Sequence, residues 1–252
     1  LMTCSARLPV YALLIGAFIP QRSVGGLFNL QGLVMFGLYA LGIVSAALVA
    51  YVMKYFKRDH TEQSLLMELP SYRLPHLRDL AIGLWERGSI FVRRVGTIIL
   101  ALTVLLWFLS SFPAPPDGHL GDAIDYSFAG RIGHWLEFVF APVGFNWQIC
   151  VALIPGLAAR EVAVASLATV YALSGDGVET ALAPIIAAQW TLPTALSLLA
   201  WYVYAPQCMS TLAVIRRETN SWKTVGLAAG YLFGLAYLAS FVTYQLARGL
   251  GL

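Results

Sequence analysis

Residues Leu153–Val164 read LIPGLAAREVAV. A Pro-Gly pair at 155–156 and two adjacent charges, Arg160 and Glu161, interrupt an otherwise apolar stretch. Proline removes a backbone donor and glycine is conformationally permissive, so the spacing predicts a backbone break at Pro155 and Gly156. Its setting follows from composition. The chain has 252 residues, 59% hydrophobic and 12% charged, with mean hydropathy +0.72. A soluble domain carries roughly 25% charged residues. The composition therefore predicts an integral membrane protein. The net charge of +3 gathers into no basic face with interleaved aromatics, which argues against a nucleic-acid partner. Cys4, Cys150 and Cys208 are far apart and form no CxxC pair or disulfide framework. The chain starts in mid-pattern, with neither an initiator Met nor the basic region and cleavage site of a signal peptide, so an upstream part is expected.

A spanning helix needs about 20 apolar residues. Charge-free windows predict spans at Phe28–Met53, Val95–Phe112, Leu192–Ile215 and Thr224–Leu246. Leu8–Pro20 reads as half a span. Cytoplasmic loops carry the Lys/Arg excess. Lys54–Arg94 holds eight basic residues and Arg216–Lys223 three, so both read as cytoplasmic. Pro113–Asn146 and Ser174–Gln189 are acidic on balance and read as external loops. Val95–Phe112 then runs outward and Leu192–Ile215 inward. The segment between them, Trp147–Leu173, must start and end outside. A re-entrant hairpin centred on Pro155 and Gly156 satisfies that parity. Broken backbone at membrane depth needs protein or a water-filled cavity around it.

In HLRDLAIGLWERGSIFVRR, Leu77, Leu80, Ala81, Leu84, Gly88 and Phe91 share a helical face. This predicts an amphipathic helix on the cytoplasmic surface, with Trp85 near the interface. Cys4 in CSARLPV and Cys208 in CMSTLAV share their Leu and Val offsets. The first motif leads outward and the second inward, as in inverted transporter repeats. The expected fold is all-α: a polytopic transmembrane bundle with re-entrant or broken helices and inverted repeats.

The same motifs hold the chemistry. Pro206, two residues before Cys208, frees a carbonyl about one turn earlier. Carbonyls, a thiol and the hydroxyls of Ser210 and Thr211 then share one depth, a set that strips water from a cation. The alternative is a small buried Cys in a packed helix. Glu161 faces a cation path, with Arg160 reaching toward the headgroups or a partner, or the two close the hairpin as an ion pair. Arg7 caps carbonyls at a helix break or snorkels. Glu68, in MELPSYRLPHL, is a carboxylate at the mouth of a pathway or a solvated loop charge. His60, His76, His119 and His134 lie in loops or interfaces without paired metal spacing.

In order, CSARLPVYALLIGAFIP, LMELPSYRLPHLRDLAIGLWERGSIFVRRVGTIIL, GLAAREVAVASLATVYAL and YAPQCMSTLAVIRRE resemble the C-terminal membrane part of the bacterial ferrous iron transport protein B family. The resemblance covers nearly the whole chain. It implies an inner-membrane permease that moves Fe²⁺ inward, regulated by an upstream GTP-binding domain that holds GTP and Mg²⁺. No GxxxxGK[ST] occurs here, so no enzyme activity or resident cofactor is expected of these residues. It also implies two Gate regions: residues 1–58 would end the first and begin the central segment, 59–94 form the cytoplasmic loop and surface helix, 95–217 the second Gate, and 218–252 the last helix and tail. Cys4 and Cys208 match the Gate cysteines as transient Fe²⁺ ligands, Glu161 the acidic residue of a KEV motif that reads REV here, and Glu68 the Glu of ELP. PQC replaces the more usual PC spacing. Implied partners are the lipid bilayer, Fe²⁺, the GTPase domain, small cytoplasmic accessory proteins and a second copy of the chain. The rival readings are a secondary transporter of an organic solute such as a nucleoside, an intramembrane enzyme, for which neither HExxH nor GxGD is present, and a membrane scaffold, which needs neither Pro155 nor Pro206.

Overall fold

The computed structural model describes residues 5–24, 28–56, 76–113, 126–158, 160, 162–171, 178–206 and 209–251. A 3₁₀ turn at Ser5–Arg7 leads into α1 (Leu8–Phe18). Two-residue strands, β1 (Ser23–Val24) and β2 (Phe28–Asn29), pair antiparallel, Ser23 with Asn29 and Val24 with Phe28. All further regular structure among the described residues is helical: α2 (Leu30–Phe56), α3 (Leu77–Ser111), α4 (Phe128–Phe140), a 3₁₀ turn at Ala141–Val143, α5 (Trp147–Ala158), α6 (Val162–Val170), α7 (Val178–Gln189), α8 (Leu192–Tyr204), α9 (Met209–Thr219) and α10 (Trp222–Gly249).

Capping residues set several of the starts. Ser127 accepts from the amide of Gly130 at 3.2 Å, Asn146 from Ile149 at 3.0 Å, Thr191 from Thr194 at 3.4 Å and Ser221 from Thr224 at 3.3 Å. Each satisfies a donor that the first turn leaves without an intrahelical acceptor.

Among the described residues, α2 and α10 are long and apolar enough to cross a membrane. Phe36, Ile43, Val44 and Leu48 of α2 and Leu227, Leu238 and Leu246 of α10 stay exposed, as lipid-facing side chains should. Two further apolar pairs are bent. Phe128–Val143 meets Trp147–Leu157 at 100°, and Ala181–Gln189 meets Leu192–Tyr204 at 117°. The core lies around α8, where Leu198, Leu199, Trp201 and Val203 pack with Val10 and Leu14 of α1, Ile149 of α5 and Leu182 and Ile186 of α7.

Three features depart from the expected layout. The stretches read as external loops contain α4 and α7. Both are 13 residues or fewer and carry charges or a proline, so a search for 20-residue charge-free windows passes over them. The amphipathic segment from Leu77 is continuous with the next apolar stretch in one 35-residue helix, α3; no break separates a surface helix from a span. Pro155 and Gly156 lie inside α5, which continues to Ala158. Proline removes the bond to Val151 O, but buried Val151, Ala152 and Leu153 hold the segment, and tertiary context overrides propensity.

Candidate cation site at a broken helix

Pro206 organises the end of α8. The residue before a proline is driven to extended backbone, and Ala205 sits at φ −56°, ψ 152°. Its amide makes the last bond of the helix, to Trp201 O at 2.8 Å. Pro206 has no N–H, so Tyr202 O, four residues back, loses its intrahelical donor. Arg160 supplies another: Nη1 donates to Tyr202 O at 3.1 Å. Nη2 of the same guanidinium donates to Ala205 O at 2.7 Å and to Pro206 O. The Arg160 head also lies over the Tyr202 ring, 5.5 Å from its centroid.

A second guanidinium arrives from the other end of the chain. Arg7 Nη1 donates to Val203 O at 2.9 Å. Arg7 is 0% and Arg160 2% exposed. Two buried cations thus converge on four carbonyls, at the end where a helix dipole is negative. Arg7 is the less satisfied. Its Nε and Nη2, and the Tyr11 hydroxyl one turn on, have no hydrogen-bond partner among the described residues.

Gly156 belongs to the same wall. A Cβ there would lie 3.2 Å from Ala163 Cβ and 3.4 Å from the Tyr202 hydroxyl. Residues seven apart meet only where the chain folds back, so α5 and α6 form a helical hairpin and Gly156 is its point of close approach. Pro155 faces the other way. It lines a small apolar cavity of about 60 Å³ with Leu105, Leu109, Ala129, Ile132, Val151 and Ile154.

The structure therefore brings Arg7, Arg160 and Pro206 together, places Gly156 beside them and sets Pro155 apart. Cys4, Cys208, Glu161 and Glu68 lie outside the described residues. In sequence Cys4 stands three residues before Arg7 and Cys208 two after Pro206. Among the described residues, no three His, Cys, Asp or Glu gather into a metal-binding group. Sequence reasoning missed Tyr11 and Tyr202; it expected carbonyls beside Pro206 and at Arg7, but not that Arg160 would bind them. Pro206 marked Tyr202 O in advance, but nothing in the residue pattern identified its new donor.

Two family descriptions match in tandem. "Ferrous iron transport protein B C terminus" covers residues 35–87, and "Gate: Nucleoside recognition" covers residues 92–222, more than half of the chain. The chain belongs to the ferrous iron transport protein B family. Similar relatives include the Fe(2+) transporters FeoB of Leptospira interrogans (38% identical, 97% of this chain, 37% of the relative), Leptospira biflexa (37%, 100% and 38%) and Staphylococcus aureus (37%, 98% and 35%). The chain spans somewhat more than a third of the length of these relatives. No solved structure matches. In this family's terms, the site lies within the Gate match except for Arg7 and Tyr11. The boundary between the two matches falls inside the continuous helix α3.

Proposed function

We propose that this chain is the membrane permease part of a GTP-regulated transporter that carries Fe²⁺ into a bacterium across the inner membrane. The observation that carries it is the meeting of two chain breaks at the end of α8. The turn that follows Cys4 in sequence and the turn that precedes Cys208 are joined by Arg7 Nη1 on Val203 O at 2.9 Å. The carbonyl oxygens there, with the thiols of Cys4 and Cys208 and the carboxylate of Glu161 close by in sequence, would make a mixed set that Fe²⁺ accepts. The same donors hold Zn²⁺ or Cu²⁺ more tightly. Uptake of iron then depends on weak, releasing contacts and on metal supply. Glu68 serves as a carboxylate at the pathway mouth. GTP and Mg²⁺ are held by a domain outside these residues, and accessory proteins or a second copy act on the assembled transporter.

The protein is expressed from its complete gene in cells lacking other ferrous iron uptake. Cys4→Ser and Cys208→Ser each lower the rate of ⁵⁵Fe²⁺ uptake at unchanged expression. Unchanged uptake in both removes the thiols from the pathway. The family description "Nucleoside recognition" favours one other cargo, so a panel of labelled nucleosides is run in the same cells. Nucleoside uptake without iron uptake replaces the iron reading.

A further inference from the structure

Backbone oxygens are hard donors for cations, and carbonyl clusters replace water around ions at membrane depth. The carbonyls of Tyr202, Val203, Ala205 and Pro206 form such a cluster, yet two cations already fill it. Neither belongs to α8. Arg7 comes from the turn before α1, and Arg160 from the turn between α5 and α6. Arg160 is firmly held, with three carbonyl acceptors and the Tyr202 ring. Arg7 has a single acceptor, and its Nε and Nη2 donors are buried without a partner among the described residues. A charged donor away from water and without a partner is costly. Among the described residues, Arg7 is therefore the less satisfied of the two guanidiniums.

We propose that these four carbonyl oxygens are a binding site for a permeating divalent cation, and that Arg7 and Arg160 are tethered competitors that occupy it in the closed state. The proposal rests on the transport function above and adds where the cation is held and what keeps it out. One dication replaces two guanidiniums with no change in local charge. Arg7 leaves first, because departure gives its idle donors water. Arg160 follows as the cation takes over its acceptors. Oxygen donors of this kind accept Mg²⁺, Mn²⁺ and Fe²⁺, with only a graded preference among them. The site therefore selects for charge, and discrimination among metals belongs elsewhere on the pathway.

The test uses the protein from its complete gene, reconstituted in vesicles holding a metal-sensing dye. Leak of Fe²⁺ and of Mn²⁺ is read without nucleotide. Arg7→Gln raises the leak about tenfold, the population shift expected from losing one hydrogen bond to a charged group. Arg7→Lys keeps the charge and stays as tight as wild type. Arg160→Gln, where it folds, also leaks. A folded but tight Arg7→Gln, or equal leak from the Gln and Lys variants, overturns the proposal. The unaltered protein gives a second measurement. Millimolar guanidinium inhibits metal flux, whereas tetramethylammonium, which lacks N–H donors, does not; absence of that difference also overturns it. A wild type that carries no metal under any nucleotide condition, beside a leaking Arg7→Gln, defeats the transport reading and leaves the site standing. Iron uptake by wild type beside a tight Arg7→Gln does the reverse.

Discussion

Gly144 shows how far one residue constrains this fold. It closes the turn after α4 with φ +83°, in the left-handed region, and a Cβ there would lie 2.1 Å from Cε2 of Tyr244 on α10. Gly144→Ala meets backbone strain and overpacking together, each about 1–3 kcal/mol. Thermal unfolding in detergent should fall by several degrees. Gly230→Ala is the control. Nothing lies within 4 Å of a Cβ there, and alanine favours a helix by about 0.8–1.0 kcal/mol. Its melting temperature should hold or rise. Equal losses in the two variants would mean that Tyr244 does not sit against Gly144 in the membrane-embedded protein. The same scale explains what was legible about the arginines. A charge inside an apolar run stands out in any sequence, so Arg7 and Arg160 were visible. That Arg7 caps carbonyls at a helix break was readable; which carbonyls was not, because every residue carries one, and only Pro206 flagged one of them.

Between elements, a reciprocal polar joint links α8 to α10. Ser197 Oγ donates to Val143 O at 2.8 Å and to Ser240 O at 3.2 Å, and Ser240 Oγ donates back to Ser197 O at 2.9 Å. Both serines are 0% exposed. Small residues let helices approach closely in lipid, and such hydrogen bonds contribute about 0.6 kcal/mol each, at most about 1.7. Ser197→Ala should cost more than Ser240→Ala, since Val143 O loses its donor as well. A double-mutant cycle should come out close to additive, within about 0.5 kcal/mol, because each hydroxyl donates to the other residue's backbone carbonyl, which alanine keeps. Two single variants without any loss of stability would mean that these bonds do not form. No rule of periodicity picks out these two serines. The joint depends on the register of helices more than 40 residues apart. Long apolar windows found α2 and α10 for the opposite reason: each buries or exposes its own surface whatever its neighbours do. The short helices α4 and α7 exist because they pack. Leu182 and Ile186 of α7 are wholly buried against the core, and that packing was hidden from a search for self-sufficient spans.

At the scale of the molecule, α3 sets the question of how the chain sits in the bilayer. At 1.5 Å per residue its 35 residues extend about 50 Å, well beyond the roughly 30 Å of hydrocarbon. The helix is also unequal along its length. Arg78, Asp79, Glu86, Arg87, Arg93 and Arg94 fall between its start and its midpoint, and from Val95 to Ser111 it carries no charge. Leu100, Val104, Leu105 and Trp107 are exposed there, where lipid would cover them. The charged half must stand outside the hydrocarbon, and its four arginines predict the cytoplasmic side. Arg131, on α4, is then expected on the opposite side, if Val95–Phe112 crosses between them as its charge-free run predicts. Single cysteines at Asp79, Trp107 and Arg131, in a background with the native cysteines replaced, separate the alternatives. A membrane-impermeant maleimide applied to intact spheroplasts should label Arg131→Cys and leave Asp79→Cys unlabelled. Inside-out vesicles should reverse that pattern. Trp107→Cys should resist in both. Labelling of positions 79 and 131 from the same side would mean that α3 returns or lies flat. In that case the charged half is a surface element, and the continuous helix does not survive insertion into the membrane.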